Sequence, residues 1–348
     1  MTINTIESLR SHLQTALELE HCTIPPYLCS LYSIKEGSNQ LASQIIRSVV
    51  MEEMLHMTLV SNLLNSIGGK PSINHPQFIP VYPGYMPKSS KSFIVPLMKF
   101  CRQAVEVFLK IEKPEKVGAK PEGDYYHSIG QFYKAIEAGF ERLDRDRKIN
   151  LFCGKPENQL LPDTWYYGAG KVVEVTDLES AKLAITEISE QGEGLSDSIA
   201  DGDHRLFQQQ IEVAHYYRFN EIYLGRQYTE DDTPQSGPSG PELPVNWNAV
   251  YDMRPNPKVS QYLDYPEILE IMHRFNCTYM DMLDLINDGF NGKRSSMMAA
   301  VTKMYELKDQ ATSLMNIPSG EDNTTVGPSF EYVPPEYRNC AYPHHCKS

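Results

Sequence analysis

Four times in this chain a glutamate is followed three residues later by a histidine: Glu18–His21, Glu53–His56, Glu212–His215 and Glu270–His273. On a helix such positions share a face one turn apart, so both side chains can reach one bound ion. Carboxylates from different helices can also bridge two cations about 3.5–4 Å apart. A single pair is weak evidence, because a solvated ion pair has the same spacing. The neighbours of Glu53 and His56 raise its weight: Val49, Val50, Met51, Met54, Leu55 and Met57. A carboxylate and an imidazole buried there without a partner would be costly, and a cation would relieve that cost.

Hydrophobic periodicity supplies the elements that must carry these residues. Residues 4–35 read as a helix with Ile6, Leu9, Leu13, Leu17 and Glu20 on one stripe, and Pro25-Pro26 predicts a kink or break in it. The cleanest helix spans 41–67 and stops at Gly68-Gly69, a pair suited to a left-handed cap. An ordered loop over 70–93 leads to helices at 94–112 and 128–145, separated by a Pro/Gly/Lys connection. Residues 149–175 read as irregular, with a short strand at Lys171–Val175. Thr176-Asp-Leu-Glu179 has the form of a capping box and starts a helix ending at Gly192 or Gly194. Further helices are predicted at 203–226, 258–288 and 295–315, with a polar loop over 229–256 and a coil tail from 317. The order is two helices, a helical crossover, two helices, then two more. This is an all-α, ferritin-like four-helix bundle with one long crossover and additional C-terminal helices. We read 1–332 as one metal-binding domain and 333–348 as a tail.

Such a bundle takes one lone Glu from each of two helices and Glu-x-x-His from each of the other two. On the first helix Glu18 and Glu20 point about 200° apart, and Glu20 continues the apolar stripe, so Glu20 is the candidate. The second helix offers Glu53 and His56, and the fourth Glu212 and His215. The third offers Glu187, Glu190 and Glu193. Gly192 and Gly194 around Glu193 would let backbone or substrate approach closely, which favours Glu193, with Glu190 as the alternative. Tyr27, Tyr126, Tyr216 and Tyr217 either line a pocket or pack the core. Arg218 and Arg226 either bind a substrate carboxylate or form surface ion pairs. His204 and His273 read as structural.

Composition narrows the function classes. The 348 residues are 41% hydrophobic and 22% charged, with a net charge of -13. An acidic chain of this kind is a poor partner for nucleic acid or an anionic membrane. No apolar run approaches the roughly 18 residues of a membrane span, and Met1–Arg10 lacks the core of a signal peptide, so a cytoplasmic protein is expected. Seven cysteines without a CxxC pair read as reduced thiols, most of them buried. The tail from Cys340 through His344, His345 and Cys346 could take a metal adventitiously.

Several segments carry a resemblance: Leu19–Leu28 (LEHCTIPPYL), Met51–Met57 (MEEMLHM), Gly130–Tyr133 (GQFY), Gln191–Gly194 (QGEG), Glu212–Phe219 (EVAHYYRF) and Gly327–Phe330 (GPSF). Together they resemble the ferritin-like domain of the iminophenyl-pyruvate dimer synthase family, known from bisindole pathways such as violacein biosynthesis. The similarity runs from about residue 5 to 332, and the pathway enzymes are larger proteins that carry this domain as one part. It implies a ferritin-like fold and metal ligands at Glu20, Glu53, His56, Glu193, Glu212 and His215. It also implies oxidative chemistry in secondary metabolism. The expected protein is a non-haem oxidase or oxygenase with two iron ions, manganese or another divalent metal being alternatives. Its expected partner is a small amino-acid-derived or aromatic substrate, and a homo-oligomer is compatible with the sequence. Iron handling, as a ferroxidase or store, and a scaffold with a vestigial site are the competing readings. Met51, Met54 and Met57, with the nearby tyrosines, suit an apolar organic ligand better than hydrated iron.

Overall fold

A computed structural model describes residues 3–115, 118–146, 148–162, 169–195, 197–203 and 212–338. Among these, the regular structure is helical, with isolated bridges and no strand. The helices are α1 (Ile6–Ser33), α2 (Gln40–Ser66), α3 (Arg102–Ile111), α4 (Ile129–Arg145), α5 (Leu178–Glu193), α6 (His215–Leu224), α7 (Pro266–Phe290) and α8 (Ser296–Met315). None is long and apolar enough to cross a membrane.

Local chemistry sets the ends. The Thr5 hydroxyl accepts the Ser8 N–H at 3.1 Å and opens α1. At the end of α2, Gly68 adopts φ +69, its N–H meets Asn65 O, and the Gly69 N–H reaches back to Leu64 O. That pair of bonds is a Schellman closure, and the left-handed residue in it favours glycine. α5 is opened one residue later than the sequence pattern indicated: Asp177 accepts from Ser180 N, and Ser180 Oγ accepts from Asp177 N. α3 starts at Arg102 rather than near 94, because the backbone before it is engaged elsewhere. The Leu97 N–H donates to Asn256 Oδ1 and the Phe100 N–H to Ser33 Oγ. The anticipated strand at 171–175 pairs with a side chain instead: both backbone polar groups of Val175 bond the Gln159 amide.

α1 and α2 are joined by the short turn 34–39 and pack along one another. α5 and α6 lie against α2, α3 against α6, and α4 against α5 and α1. α7 and α8 form a hairpin that packs on α1 and α2. Of the helix expected over 203–226, residues 204–211 lie outside the described residues. Residues 212–214 are not helical, since Asp201 N donates to Glu212 O and Ala214 N to Ile199 O. The tail cysteines Cys340 and Cys346 also lie outside them. Cys22, Cys29, Cys101, Cys153 and Cys277 are free thiols.

Of the kink or break predicted at Pro25-Pro26, the break does not occur: α1 runs on through both prolines. Pro26 has no N–H to give the carbonyl of Cys22 four residues back. The Tyr82 hydroxyl, in the loop after α2, donates to that carbonyl at 2.7 Å and repairs the ladder from outside. Tyr82→Phe leaves a buried carbonyl unpaired and should cost about 1–2 kcal/mol in denaturant unfolding, with helix content unchanged. Unaltered stability would show that the Tyr82 hydroxyl does not matter to α1.

Candidate metal centre

The carboxylates and imidazoles converge where α1, α2, the end of α3 and the start of α6 meet. Two groups form: Glu20, Glu53 and His56, and Glu53, Glu112 and His215. In each, the ligand atoms lie within 4.8 Å of one another and every residue is buried. Glu53 belongs to both.

Each imidazole is oriented by a partner outside the groups. His56 Nε2 meets Gln191 Oε1 at 2.9 Å. The orientation of that amide follows from its other contacts, since Gln191 Nε2 donates to Ala169 O, Glu187 and Asp203. His56 therefore carries its proton on Nε2. His215 Nε2 meets Glu52 Oε2 at 2.9 Å. Burial opposes the Glu52 anion, but the Arg218 guanidinium and His215 hold its carboxyl down at about 2. Glu52 can then only accept, so Nε2 of His215 also carries a proton. In both histidines Nδ1 is the nitrogen that faces the carboxylates: 3.3 Å from Glu20 Oε2 for His56, and 3.2 Å from Glu53 Oε1 and 3.5 Å from Glu112 Oε2 for His215. The two rings stack with centroids 5.4 Å apart.

The carboxylates are oriented in the same manner. Tyr133 Oη donates to Glu20 Oε1 and Tyr27 Oη to Glu112 Oε1, which leaves the Oε2 of each turned toward an imidazole. Thr23 Oγ1 donates to Glu53 Oε2 at 3.0 Å. Burial and the negative charges of Glu112 and Glu20 push the Glu53 carboxyl well up. Burial also opposes the Glu20 anion, but His56 and Tyr133 hold that carboxyl below its ordinary value. Burial disfavours a charged His215 too, yet Glu112, Glu52 and Glu53 outweigh it and raise the imidazole well up. The surroundings thus favour the protonated forms of Glu53 and His215, and a bound cation would answer the same excess of negative charge. His215 Nδ1 is fully buried and faces the Glu53 and Glu112 carboxylates at 3.2 and 3.5 Å, the placement of a metal-ligating nitrogen.

Three expected ligands stand elsewhere. Glu193 accepts from Glu115 N at 3.0 Å and from Gly130 N at 2.7 Å, and so caps the start of α4. Gly130 is glycine for the same reason: a Cβ there would lie 2.5 Å from the Glu193 carboxylate. The alternative, Glu190, lies against Gly202. Glu212 precedes α6, its side chain is half exposed, and it pairs with Arg218 at 3.2 Å. Because 212–214 are not helical, Glu212 and His215 do not share a helical face. Arg218, read as a surface residue, is buried and joins Glu52, Asp201 and Glu212.

The other two Glu-x-x-His pairs take no part. His21 packs at a tilt against Phe78 and bonds Tyr279 Oη, while Glu270 pairs with Arg274 on the surface. Glu112, Glu52 and Gln191 were missed. Glu112 carried a signal, since it extends the Val105 and Phe108 stripe of α3.

The metal-free chain should gain stability as pH falls from 8 to 5. Burial, the largest effect in each case, raises Glu193 and Asp201 to about 7 and Glu221 to about 6. A carboxyl raised in the folded state contributes most below its unfolded value and loses that contribution as pH rises through the folded value. The raised His215 acts in the same direction. Thermal unfolding in the presence of chelator should therefore rise by several degrees over that interval, and a flat profile would contradict it.

The chain is 28% identical over 327 residues to a dichlorochromopyrrolate synthase from Lentzea aerocolonigenes, covering 81% of this chain and 29% of that protein. It is 25% identical over 372 residues to a 2-imino-3-(indol-3-yl)propanoate dimerase from Chromobacterium violaceum, covering 94% of this chain and 34% of that protein. The chain thus spans about a third of the length of these relatives. A crystal structure of a ferritin-like protein from Caulobacter vibrioides superposes with a TM-score of 0.63 at 22% identity, covering 94% of this chain and all of the other, and shows the same fold. The ferritin-like profile itself matches residues 13–224, more than half of the sequence, and the chain belongs to the ferritin-like family.

Proposed function

We propose that this protein is a dinuclear-metal oxidase or oxygenase, with iron as the metal, acting on a small aromatic or amino-acid-derived molecule. The observation that carries the reading is the pair of buried three-ligand groups sharing Glu53, with Nδ1 of both imidazoles turned inward. Glu20, Glu53 and His56 would hold one ion, and Glu53, Glu112 and His215 the other. Mixed carboxylate and imidazole donors suit iron or manganese. Two such ions would supply redox chemistry with oxygen in a site shielded from bulk water.

The chain's own residues have definable tasks in this scheme. Tyr27 and Tyr133 fix the carboxylate rotamers by donating to Glu112 Oε1 and Glu20 Oε1. Gln191 and Glu52 hold the protons of His56 and His215 on the outer nitrogens. Cations would compete at Glu53 and His215 with the protons that their surroundings favour. The substrate class is taken from the two relatives, whose names denote a chromopyrrolate synthase and the dimerase of an indolyl imino acid.

The test is oxygen uptake by the reduced, iron-loaded protein. An aromatic imino acid, generated in place from tryptophan by an amino-acid oxidase with catalase present, should stimulate uptake at least tenfold over protein alone, after subtraction of the oxygen consumed by the same generating mixture without the protein. Uptake that follows added ferrous iron, deposits a mineral and ignores the imino acid would show iron handling instead. No uptake under either condition would favour a scaffold.

A further inference from the structure

The loop after α2 closes over the side of α1 opposite Glu20. Glu18 and Cys22 lie two positions to either side of Glu20, and each is turned about 200° from it. Between them and the loop is a cavity of about 130 Å³, walled by Phe78, Tyr82, Tyr85 and Met86 with Glu18 and Cys22. An apolar cavity of about 150 Å³ admits benzene, so a body of roughly that size fits here.

The polar inventory of the walls selects the ligand. Tyr82 Oη is spent on the Cys22 carbonyl, and Cys22 Sγ on Leu19 O. Gln77 Oε1 is engaged by His75. Glu18 is the charged residue among those that line the cavity; Lys88 and His75 stand close enough to act on its carboxyl but do not line the space. Aromatic rings and a carboxylate around one small space are the complement of an organic cation. Tyr85 already attracts one, since Lys91 Nζ stands 5.9 Å from its ring centroid. Val81 and Tyr85 remain exposed at the rim, so the space can be reached from solvent.

We propose that this cavity binds a small arylalkyl ammonium ion, its charge on Glu18 and its ring between Phe78, Tyr85 and Met86. The site is separate from the metal centre and its occupancy does not depend on metal.

The experiment is calorimetric titration of the full chain with benzylamine, benzyl alcohol and benzoate, with and without chelator. Benzylamine should bind one to one, and benzyl alcohol and benzoate at least tenfold more weakly. Glu18→Gln should lower benzylamine affinity at least tenfold while leaving the circular dichroism spectrum unchanged. Val95→Phe, which fills the cavity from its wall, should lower it as well. His56→Ala should leave it unchanged. No benzylamine binding, equal binding of the alcohol, or indifference to both Glu18→Gln and Val95→Phe would overturn the proposal. Loss with His56→Ala and retention with Glu18→Gln would place the amine at the metal centre and overturn it too. Failure of the oxidase reading would leave all these outcomes unchanged.

Discussion

Alanine at position 53 is expected to strip metal from both halves of the centre at once. Glu53 is the one carboxylate common to the two ligand groups, and it lies between the two imidazoles. Losing a partner that merely orients a ligand costs about 10–100-fold in metal affinity, so losing a shared ligand should cost more than about 100-fold. Under loading that gives the wild-type chain close to two ions, Glu53→Ala should retain well under one, and its oxygen uptake should vanish. The fold should persist, because burial, Glu112 and Glu20 all oppose a charge on Glu53. Its removal relieves repulsion in the metal-free chain. Metal analysis by mass spectrometry beside a thermal scan checks both halves of the expectation. Two ions in the variant would sink the assignment of Glu53, and an unfolded variant would sink the argument about repulsion.

The second large effect concerns stability and lies at Arg218. This guanidinium is buried and contacts Glu52 Oε1 at 2.6 Å and Asp201 Oδ2 at 3.3 Å. Arg218→Met removes the cation and strands two carboxylates in the interior, a change that costs about 3–5 kcal/mol. At roughly 2 °C per kcal/mol for a large domain, the midpoint should fall by about 6–10 °C. Adding Glu52→Gln should recover part of the loss, since the stranded charge is gone, whereas a pure packing defect would not be rescued. The sign with pH is also fixed. Arg218 and His215 overcome burial to hold Glu52 at about 2, below an unfolded glutamate near 4.3. The stability it contributes is present above the unfolded value and lost as pH falls toward about 2. The deficit of Arg218→Met should therefore be full at pH 6 and shrink below pH 4. A midpoint within 2 °C of wild type at pH 6 would contradict the account.

How far the sequence discloses the centre depends on where side-chain direction follows from periodicity alone. Glu20 could be separated from Glu18 because the Leu13 and Leu17 stripe fixes which face of α1 is buried, and Glu20 is indeed the buried one. Glu53 and His56 sit inside a long uninterrupted helix, where i and i+3 keep their meaning. The same spacing failed at Glu212 and His215, because pairing of 199–201 with 212–214 draws Glu212 out of the helix. That contact is between segments and leaves no local mark. Glu193 was favoured because Gly192 and Gly194 flank it and would let backbone or substrate approach closely. Its true partners, the N–H groups of Glu115 and Gly130, come from another part of the crossover. Arg218 was more legible than it was taken to be: it stands three residues after His215, so burial of one implies burial of the other. The fold was readable in order and type, while helix starts drifted wherever loop backbone found side-chain partners far away, as at Leu97 and Phe100.

The tyrosine that mends α1 has a kinetic meaning. Helices ordinarily assemble from contacts close in sequence and form early. Here the missing rung at Pro26 is filled by Tyr82, 60 positions downstream of the Cys22 carbonyl that it bonds, so the second half of α1 cannot reach its final register until the loop after α2 has docked. Local propensity takes α1 only as far as Glu20 and Thr23, and long-range assembly finishes it. In folding experiments the segment 6–20 should therefore show high φ-values and 26–33 low ones. Native-state hydrogen exchange should open 26–33 together with the 78–86 loop as one cooperative unit, distinct from the rest of its own helix.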